Sequence, residues 1–434
     1  MGDHYEATLS VAGPILKKDK SKLLWVAFFI LAIAGYGLFS FIPDFFAIPG
    51  RNVTITYRTI ILVLSLWVIK KSLAEGRYHI GIMYLMPMLI FWGLYILRIV
   101  VETSIDYNPY LSLPWYEYYL YTIGTCLIPM IAFMAAPDDD MSDYILKGLI
   151  VSLFIISIVG LYNNLVNIRI GSTTYQRGAS AVLGGIWFGH IGSSLCLLAL
   201  YNIIISKSSQ VFKIGISVFM IMIGIVVIGV SLTRAAFFVL LIGLLFMIGI
   251  EFLRGSTKTV IRLTGLTLMG SLVVISYVDS FFQRFVMRIE QLPQQRIGRL
   301  EKFQSAWGEF SSHPIFGSGL ELSGLHQYPH NIFLESFMAT GTLGGIAFII
   351  MFLFAFYCSI KLAIYKPVWT WVSLLFVQYT IAAMSSGAIY TNYLTWIFLG
   401  AVIGLGGQLV QDRARASNYV HPRQMQVQRY SRTR

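Results

Sequence analysis

Residues 211–253 read VFKIGISVFMIMIGIVVIGVSLTRAAFFVLLIGLLFMIGIEFL, and the way this stretch breaks decides the fold. Apolar residues run almost without interruption over 211–231, stop at the polar step Ser231-Leu232-Thr233-Arg234, and run again over 235–253. Each run has the length of about twenty residues that a helix needs to cross a hydrocarbon core of ~30 Å. A membrane β-strand would instead alternate over about ten residues. Lipid tolerates only backbone that satisfies its own hydrogen bonds, so the two runs predict a pair of membrane helices turning at the SLTR step.

Working outward, similar runs recur at about 23–42, 57–70, 79–100, 115–136, 143–163, 179–205, 259–278, 332–360, 369–387 and 390–410, making twelve expected spans in all. The run at 57–70 is the shortest of them. Composition agrees: 56% of the residues are apolar and 12% charged, and the mean hydropathy is +0.71. A water-soluble chain of 434 residues would lack the polar surface to cover such a core. The expected fold class is therefore all-α, a polytopic membrane protein. Its parts are an amino-terminal tail (1–22), nine spans (23–278), an outer loop (279–329), three further spans opening at residue 330 (330–410) and a basic tail (411–434). Lys17, Lys18, Lys20 and Lys22 precede the first run, and no small-residue cleavage site follows it, so a retained first helix is expected rather than a signal peptide. Cys126, Cys196 and Cys358 all fall inside expected spans and predict no disulfide framework.

Orientation follows from the basic residues, since positive loops stay cytoplasmic. With both termini inside, 21 of the 32 basic residues lie on the inner side and eleven on the outer. The eleven are Arg51, Arg58, Arg98, Arg169, Arg177, Arg234, Arg284, Arg288, Arg296, Arg299 and Lys302. Ten are arginine, against nine of the 21 inside. Charge alone explains topology with either cation, but only guanidinium offers the rigid fork of donors that grips a phosphate. Arg51, Arg58, Arg98 and Arg169 also read simply as snorkelling interfacial side chains. The net charge of +12 then belongs to topology and to a tail near anionic headgroups, and no nucleic-acid partner is implied.

The outer loop reads as two amphipathic helices. In the first, about 281–292, Arg284 and Arg288 share a face opposite Phe282, Phe285, Val286 and Ile289, and Pro293 ends it. In the second, Arg296, Arg299 and Lys302 recur at three-residue spacing against Ile297, Leu300, Phe303 and Trp307. A helix pair lying on the membrane surface fits the same composition. Next come the turn-rich HPIFGSG at 313–319 and Tyr328-Pro329-His330-Asn331 before an apolar run. An imidazole at such a helix entrance can take or give a proton near neutral pH.

The segment His330-Asn331, nine residues, Gly341-Thr342-Leu343-Gly344 resembles the His-[Asn/Ser/Gln]-x9-Gly-x-x-[Gly/Thr/Tyr] signature of the bacterial O-antigen ligase and Wzy-type polymerase family. The HPIFGSG stretch, the SLTR step and the large outer loop between late helices resemble the same family. The resemblance implies a GT-C-like, metal-independent glycosyltransferase of the inner membrane, working on the periplasmic face without a cofactor. Its donor would be a glycan on undecaprenyl pyrophosphate, moved in one piece to an acceptor sugar hydroxyl, either on lipid A-core or on another lipid-linked glycan.

In such a reaction His330 would serve as catalytic base. Arg177, Arg234, Arg284, Arg288 and Arg299 would hold the pyrophosphate, and Asn331 and Glu335 would orient the ring or the acceptor. Asn331 reads equally as a helix N-cap, and Glu335 as a helix-surface charge. Ten outer carboxylates, Asp44, Glu102, Asp106, Glu117, Asp279, Glu290, Glu301, Glu309, Glu321 and Glu335, nearly balance the outer cations. That balance favours the polymerase slightly, since lipid A carries phosphates of its own. Tyr107, Tyr110, Trp115, Tyr116, Tyr118, Tyr119 and Tyr121 read as an aromatic belt or as sugar-stacking rings. Asp138, Asp139 and Asp140 read as a solvated cytoplasmic turn, and no ligand spacing predicts a metal site. A transporter or flippase of lipid-linked glycans is the competing class, with His190 as its clearest mid-span ionisable candidate.

Overall fold

The computed structural model describes residues 20–78, 81–105, 108, 111–169, 179–180, 182–205, 211–268 and 293–410. The described chain is helical, with a single β-bridge between Leu322 and Gln327. In order come α1 (Lys20–Phe39), the short α2 (Ile42–Phe46), α3 (Gly50–Ala74) and α4 (Ile82–Val100), which runs into a π-helical turn at Val101–Ile105. Then follow α5 (Trp115–Tyr119), a π-helical stretch (Leu120–Leu127), α6 (Ile128–Phe133), α7 (Ser142–Arg169), α8 (Gly185–Ile205), α9 (Val211–Ser231) and α10 (Arg234–Leu253). The last are α11 (257–268), α12 (Pro293–Ser312), α13 (Ile332–Tyr365), α14 (Thr370–Ala383) and α15 (Tyr393–Val410).

Nine helices among the described residues are long and apolar enough to cross a membrane: α1, α3, α4 with its π-turn, α7, α8, α9, α10, α13 and α15. The other three expected spans take different forms. The run at 115–136 is broken into α5, the π-helical stretch and α6, and 369–387 is reduced to the 14 residues of α14. Of 259–278, only the part up to residue 268 is described.

The run at 57–70, the shortest by hydropathy, belongs to a helix of 25 residues. Its polar first turns are stable because threonine hydroxyls donate back within the helix, Thr54 to Arg51 O at 2.9 Å, Thr56 to Asn52 O at 2.9 Å and Thr59 to Ile55 O at 3.0 Å. Hydropathy counts those side chains as cost, whereas the backbone absorbs them.

α8 and α15 are the most enclosed spans. α15 presents Gly400 and Gly404 to α6, where any Cβ would run into the Met130 and Met134 carbonyls, and Gly406 does the same against Cys358 of α13. Small residues at i and i+4 bring backbones close enough to replace the hydrophobic drive that lipid removes. Cys126, Cys196 and Cys358 are free and buried.

The two ends of the bundle are tied differently. At one end Asp138–Asp140 gather partners from far along the chain: Lys22 reaches Asp138 (3.3 Å) and Asp140 (2.6 Å), Arg77 reaches Asp138 (3.1 Å), and Lys366 reaches Asp139 (3.2 Å). Trp369 Nε1 also donates to Asp139 at 2.7 Å. The acidic turn is thus a staple joining α1, the α3–α4 connection and the α13–α14 connection, more than the solvated turn its composition suggests. The opposite end carries residue 330.

Candidate functional site

α13 begins where Asn331, in extended conformation, accepts from the Phe333 and Leu334 amides at 3.0 and 3.1 Å. Of its two readings, the N-cap is the one these contacts realise. His330, one residue before the cap, has φ +62°, a left-handed backbone that side chains other than glycine adopt at a cost and that clusters at functional sites. Its ring packs edge-on against Tyr328, with centroids 4.6 Å apart. Burial first, and then the Glu335 and Glu321 carboxylates, push the Tyr328 phenol up from its ordinary value, so the group behind the imidazole stays a protonated donor at neutral pH.

Gly341, the third fixed position of the signature, interrupts α13 with φ +67° and ψ −166°, a region open essentially to glycine alone. The HPIFGSG loop fills the break. Thr342 N and Oγ1 both donate to Pro314 O at 2.8 Å, and Ser318 N donates to Met338 O at 2.8 Å. Gly317, at φ +74°, and Gly341 lie so close to the opposing chain that a Cβ at either would enter backbone of 338–340 or 315–316. Gly344 and Gly345 leave room for Thr340 and Phe337 in the same way. Arg98 locks the arrangement, its guanidinium donating to the carbonyls of Ala339 (3.0 Å), Ser318 (3.3 Å), Phe316 (2.5 Å) and Gly317 (2.8 Å). The two sequence motifs are therefore one object, a broken helix and the loop that satisfies its freed carbonyls.

Four carboxylates counted with the outer charges turn inward instead. Glu321 accepts from Ser112 N and Oγ (3.0 and 2.7 Å), Tyr118 OH (2.6 Å) and Tyr390 OH (2.8 Å). Glu335, 0% exposed, accepts from Tyr95 OH at 3.1 Å and Ile389 N at 3.0 Å. Glu102 accepts from Leu320 N (2.8 Å) and Asn108 (2.7 Å), and the buried Glu117 pairs with Arg51. The surface-charge reading of Glu335 does not match its burial; its contacts fix α13 to α4 and to the chain before α15. With these four carboxylates turned inward, and Arg58 and Arg98 likewise, the sequence tally of outer charge is not the exposed charge and does not choose between the acceptors.

The SLTR step forms the turn between α9 and α10. Leu232 takes φ +50°, Ser231 Oγ donates to Ile228 O (2.8 Å), and Thr233 Oγ1 donates to Gly185 O at the start of α8 (3.1 Å). Arg234 is the first residue of α10 and is exposed. Trp187, one turn into α8, stacks on Tyr393 of α15 at 5.7 Å, and Tyr390 just before it lies 6.2 Å from Tyr328. His330 and the Arg234 turn thus share one end of the bundle, at the starts of α8 and α15.

Arg177, Arg284 and Arg288 lie outside the described residues, as does the first loop helix, 281–292. Arg299 stands on α12, of which Glu309 is tied to the loop through Ser318 Oγ (2.9 Å) and Ser323 N (2.7 Å). Among the described residues no three His, Cys, Asp or Glu side chains converge as a metal site. Of the belt aromatics, Trp115 and Tyr116 are exposed, whereas Tyr118 is fully buried and Tyr121 meets Arg58, whose guanidinium carbon lies 3.7 Å from the ring centroid. Arg58 and Arg98, which read as snorkelling side chains, instead face into the protein. Arg58 lies a little over two turns into α3, which was an available signal, whereas Arg98 lies in the last turn of α4 and gave none.

Residues 217–349 match the O-antigen ligase family. The match covers under a third of the 434 residues, from α9 through the Arg234 turn and the loop to the first half of α13. No curated protein matches the chain.

Proposed function

We propose that this chain, which belongs to the O-antigen ligase family through residues 217–349, transfers a glycan from undecaprenyl pyrophosphate to a sugar hydroxyl at the end of the bundle that carries His330. The coarse activity, that of an O-antigen ligase or polymerase type of enzyme in a membrane, follows from the family. The finer reading is supported above all by one observation: His330 is held in a left-handed backbone at the mouth of α13, braced by the loop lock and sharing its end with the Arg234 turn.

In the reaction, the acceptor hydroxyl oxygen attacks the anomeric carbon of the donor as the bond from that carbon to the phosphate oxygen breaks. His330 takes the hydroxyl proton. The leaving pyrophosphate gains the bonding electrons, and Arg234, with Arg177, Arg284, Arg288 and Arg299, holds the charge that develops. A single displacement inverts the anomeric centre. By the positive-inside rule this end faces the periplasm of a bacterial inner membrane, and the acidic staple and both termini face the cytoplasm.

Transport finds less support. His190 is buried, and its ring nitrogens meet no partner among the described residues. Its carbonyl accepts from Ser194 and Gln378, a structural role, whereas proton coupling needs titratable neighbours in relay.

Two tubes test the reading and divide its versions. Purified protein is given lipid-linked repeat units alone, then lipid A-core as well. Lengthened lipid-linked chains in the first tube identify a polymerase and product confined to the second a ligase, while no transfer in either rejects the proposal. Within the active tube, Arg234→Lys keeps charge and loses the fork, and is expected to cut turnover by roughly tenfold or more. Unchanged turnover would reduce Arg234 to a point charge.

A further inference from the structure

α3 carries a guanidinium that the reaction as written does not use. Arg58 is 8% exposed. One of its faces lies against the Tyr121 ring at 3.7 Å, and with the described residues it makes no hydrogen bond and no ion pair. A stacked arginine keeps five N–H donors in its plane, and a desolvated charge without an anion or acceptors is costly. Such a residue inside a membrane helix marks a site that something else completes.

The surroundings say what kind of group that is. Tyr36 and Tyr393 lie within electrostatic reach of Arg58, and Tyr36 contacts Tyr57 at 5.9 Å and Tyr393 at 6.1 Å. Together with Tyr121 they surround the guanidinium with aromatic rings bearing hydroxyls. No carboxylate among the described residues lies within ion-pair distance of Arg58. A neutral sugar would satisfy the hydroxyls and leave the charge uncompensated, whereas a phosphate answers both.

At about 1.5 Å per residue α3 is some 37 Å long against a hydrocarbon core of ~30 Å, so Arg58, about 12 Å from its start, lies in the outer part of the core. Helical side chains lean toward the start of their helix, here toward the headgroups. Arg58 is also linked to the imidazole through rings. Tyr121 lies 6.2 Å from Tyr390, Tyr390 lies 6.2 Å from Tyr328, and Tyr328 packs on His330 at 4.6 Å. Tyr121 itself sits on the π-helical stretch Leu120–Leu127, an irregularity frequent at functional sites.

We infer that Arg58, stacked on Tyr121 among tyrosines, is a phosphate-binding residue that takes the diphosphate of the lipid-linked donor. The assignment rests on the transferase reading for its ligand, and the burial and stacking of Arg58 support an anion site independently. Phosphatidylglycerol offers the same anion chemistry, so the test sets one source against the other.

Full-length protein in phosphatidylcholine nanodiscs is titrated with undecaprenyl diphosphate, binding being followed by native mass spectrometry, with and without phosphatidylglycerol. Arg58→Gln is expected to weaken binding by roughly tenfold or more, the loss of charge-assisted hydrogen bonds. Arg58→Lys should recover only part, and phosphatidylglycerol should not compete. Tyr121→Leu, which leaves the charge and removes its support, should weaken binding in the same direction and serves if Arg58→Gln does not fold. Diphosphate affinity independent of residue 58, or an Arg58-dependent signal produced by phosphatidylglycerol alone, overturns the inference. Wild-type protein that binds the diphosphate through Arg58 and yet transfers no glycan would sink the transferase reading and leave this site standing.

Discussion

Replacing His330 with Ala is expected to slow glycan transfer by about 10²–10⁴-fold, the range spanned by positioned general bases, while the protein stays folded and keeps its lipid donor. The expectation comes from what the imidazole touches. It packs on Tyr328 at the mouth of α13, whereas the cap of the helix is made by Asn331 and the brace beneath by Glu335. Removing it takes away a proton acceptor and leaves that cap and that brace in place. The left-handed backbone supplies a control, because glycine and asparagine adopt φ +62° more readily than alanine. His330→Gly and His330→Asn should therefore match or exceed the alanine variant in thermal stability and be equally slow. Turnover by purified enzyme, with melting temperature as the second readout, checks both. Normal turnover in any of the three rejects the base, and recovery in the glycine variant alone would mean that backbone shape, not proton transfer, was lost.

Gly341→Ala is expected to do the opposite, removing the architecture and leaving every chemical group in place. A Cβ at φ +67° and ψ −166° carries about 1–3 kcal/mol of backbone strain, and it would also enter the Ile315 carbonyl. The HPIFGSG loop must then leave the break in α13, uncovering carbonyls that Ser318, Thr342 and Arg98 now satisfy, at about 1–3 kcal/mol for each buried group left unpaired. A melting temperature lower by many degrees, together with lost transfer, is the expected result. Gly298→Ala on α12 is the matching control, since nothing lies within 4 Å of a Cβ there and alanine is the better helix former by about 1 kcal/mol. Equal melting temperatures for the two variants would show that Gly341 is not holding the loop.

Much of this was legible in the amino-acid order because lipid imposes one rule, helices of a certain length, that hydropathy reads directly. Where the chain breaks that rule the reading thinned. α3 was underestimated because Thr54, Thr56 and Thr59 hide their hydroxyls against their own backbone. α13 was read as continuous because Gly341 is as apolar as its neighbours, and only its backbone angle marks a break. The signature positions were found, and the helix-entrance place of His330 and the N-cap reading of Asn331 with them, but spacing does not say that Gly341 makes room for a loop. Carboxylates misled most. Glu102, Glu117, Glu321 and Glu335 look like surface charge in a list, and burial is a property of partners that can lie hundreds of residues away, such as Tyr95 for Glu335. Arg58 escaped for the same reason, since a cation that faces lipid and one that faces a tyrosine occupy identical places in a sequence.

The acidic staple at the far end sets an order of events during synthesis. Asp139 receives Lys366 and Trp369, and Ser142 receives Trp371, so the turn made early by the ribosome waits for residues made more than two hundred positions later. Until they emerge, α1 through α7 hold one flank of a clasp whose other half is still in the exit tunnel. A nascent chain stopped short of residue 366 would keep its membrane helices and lack the closure that locks them, which makes the length at which a growing chain first resists protease a direct reading of when that clasp shuts.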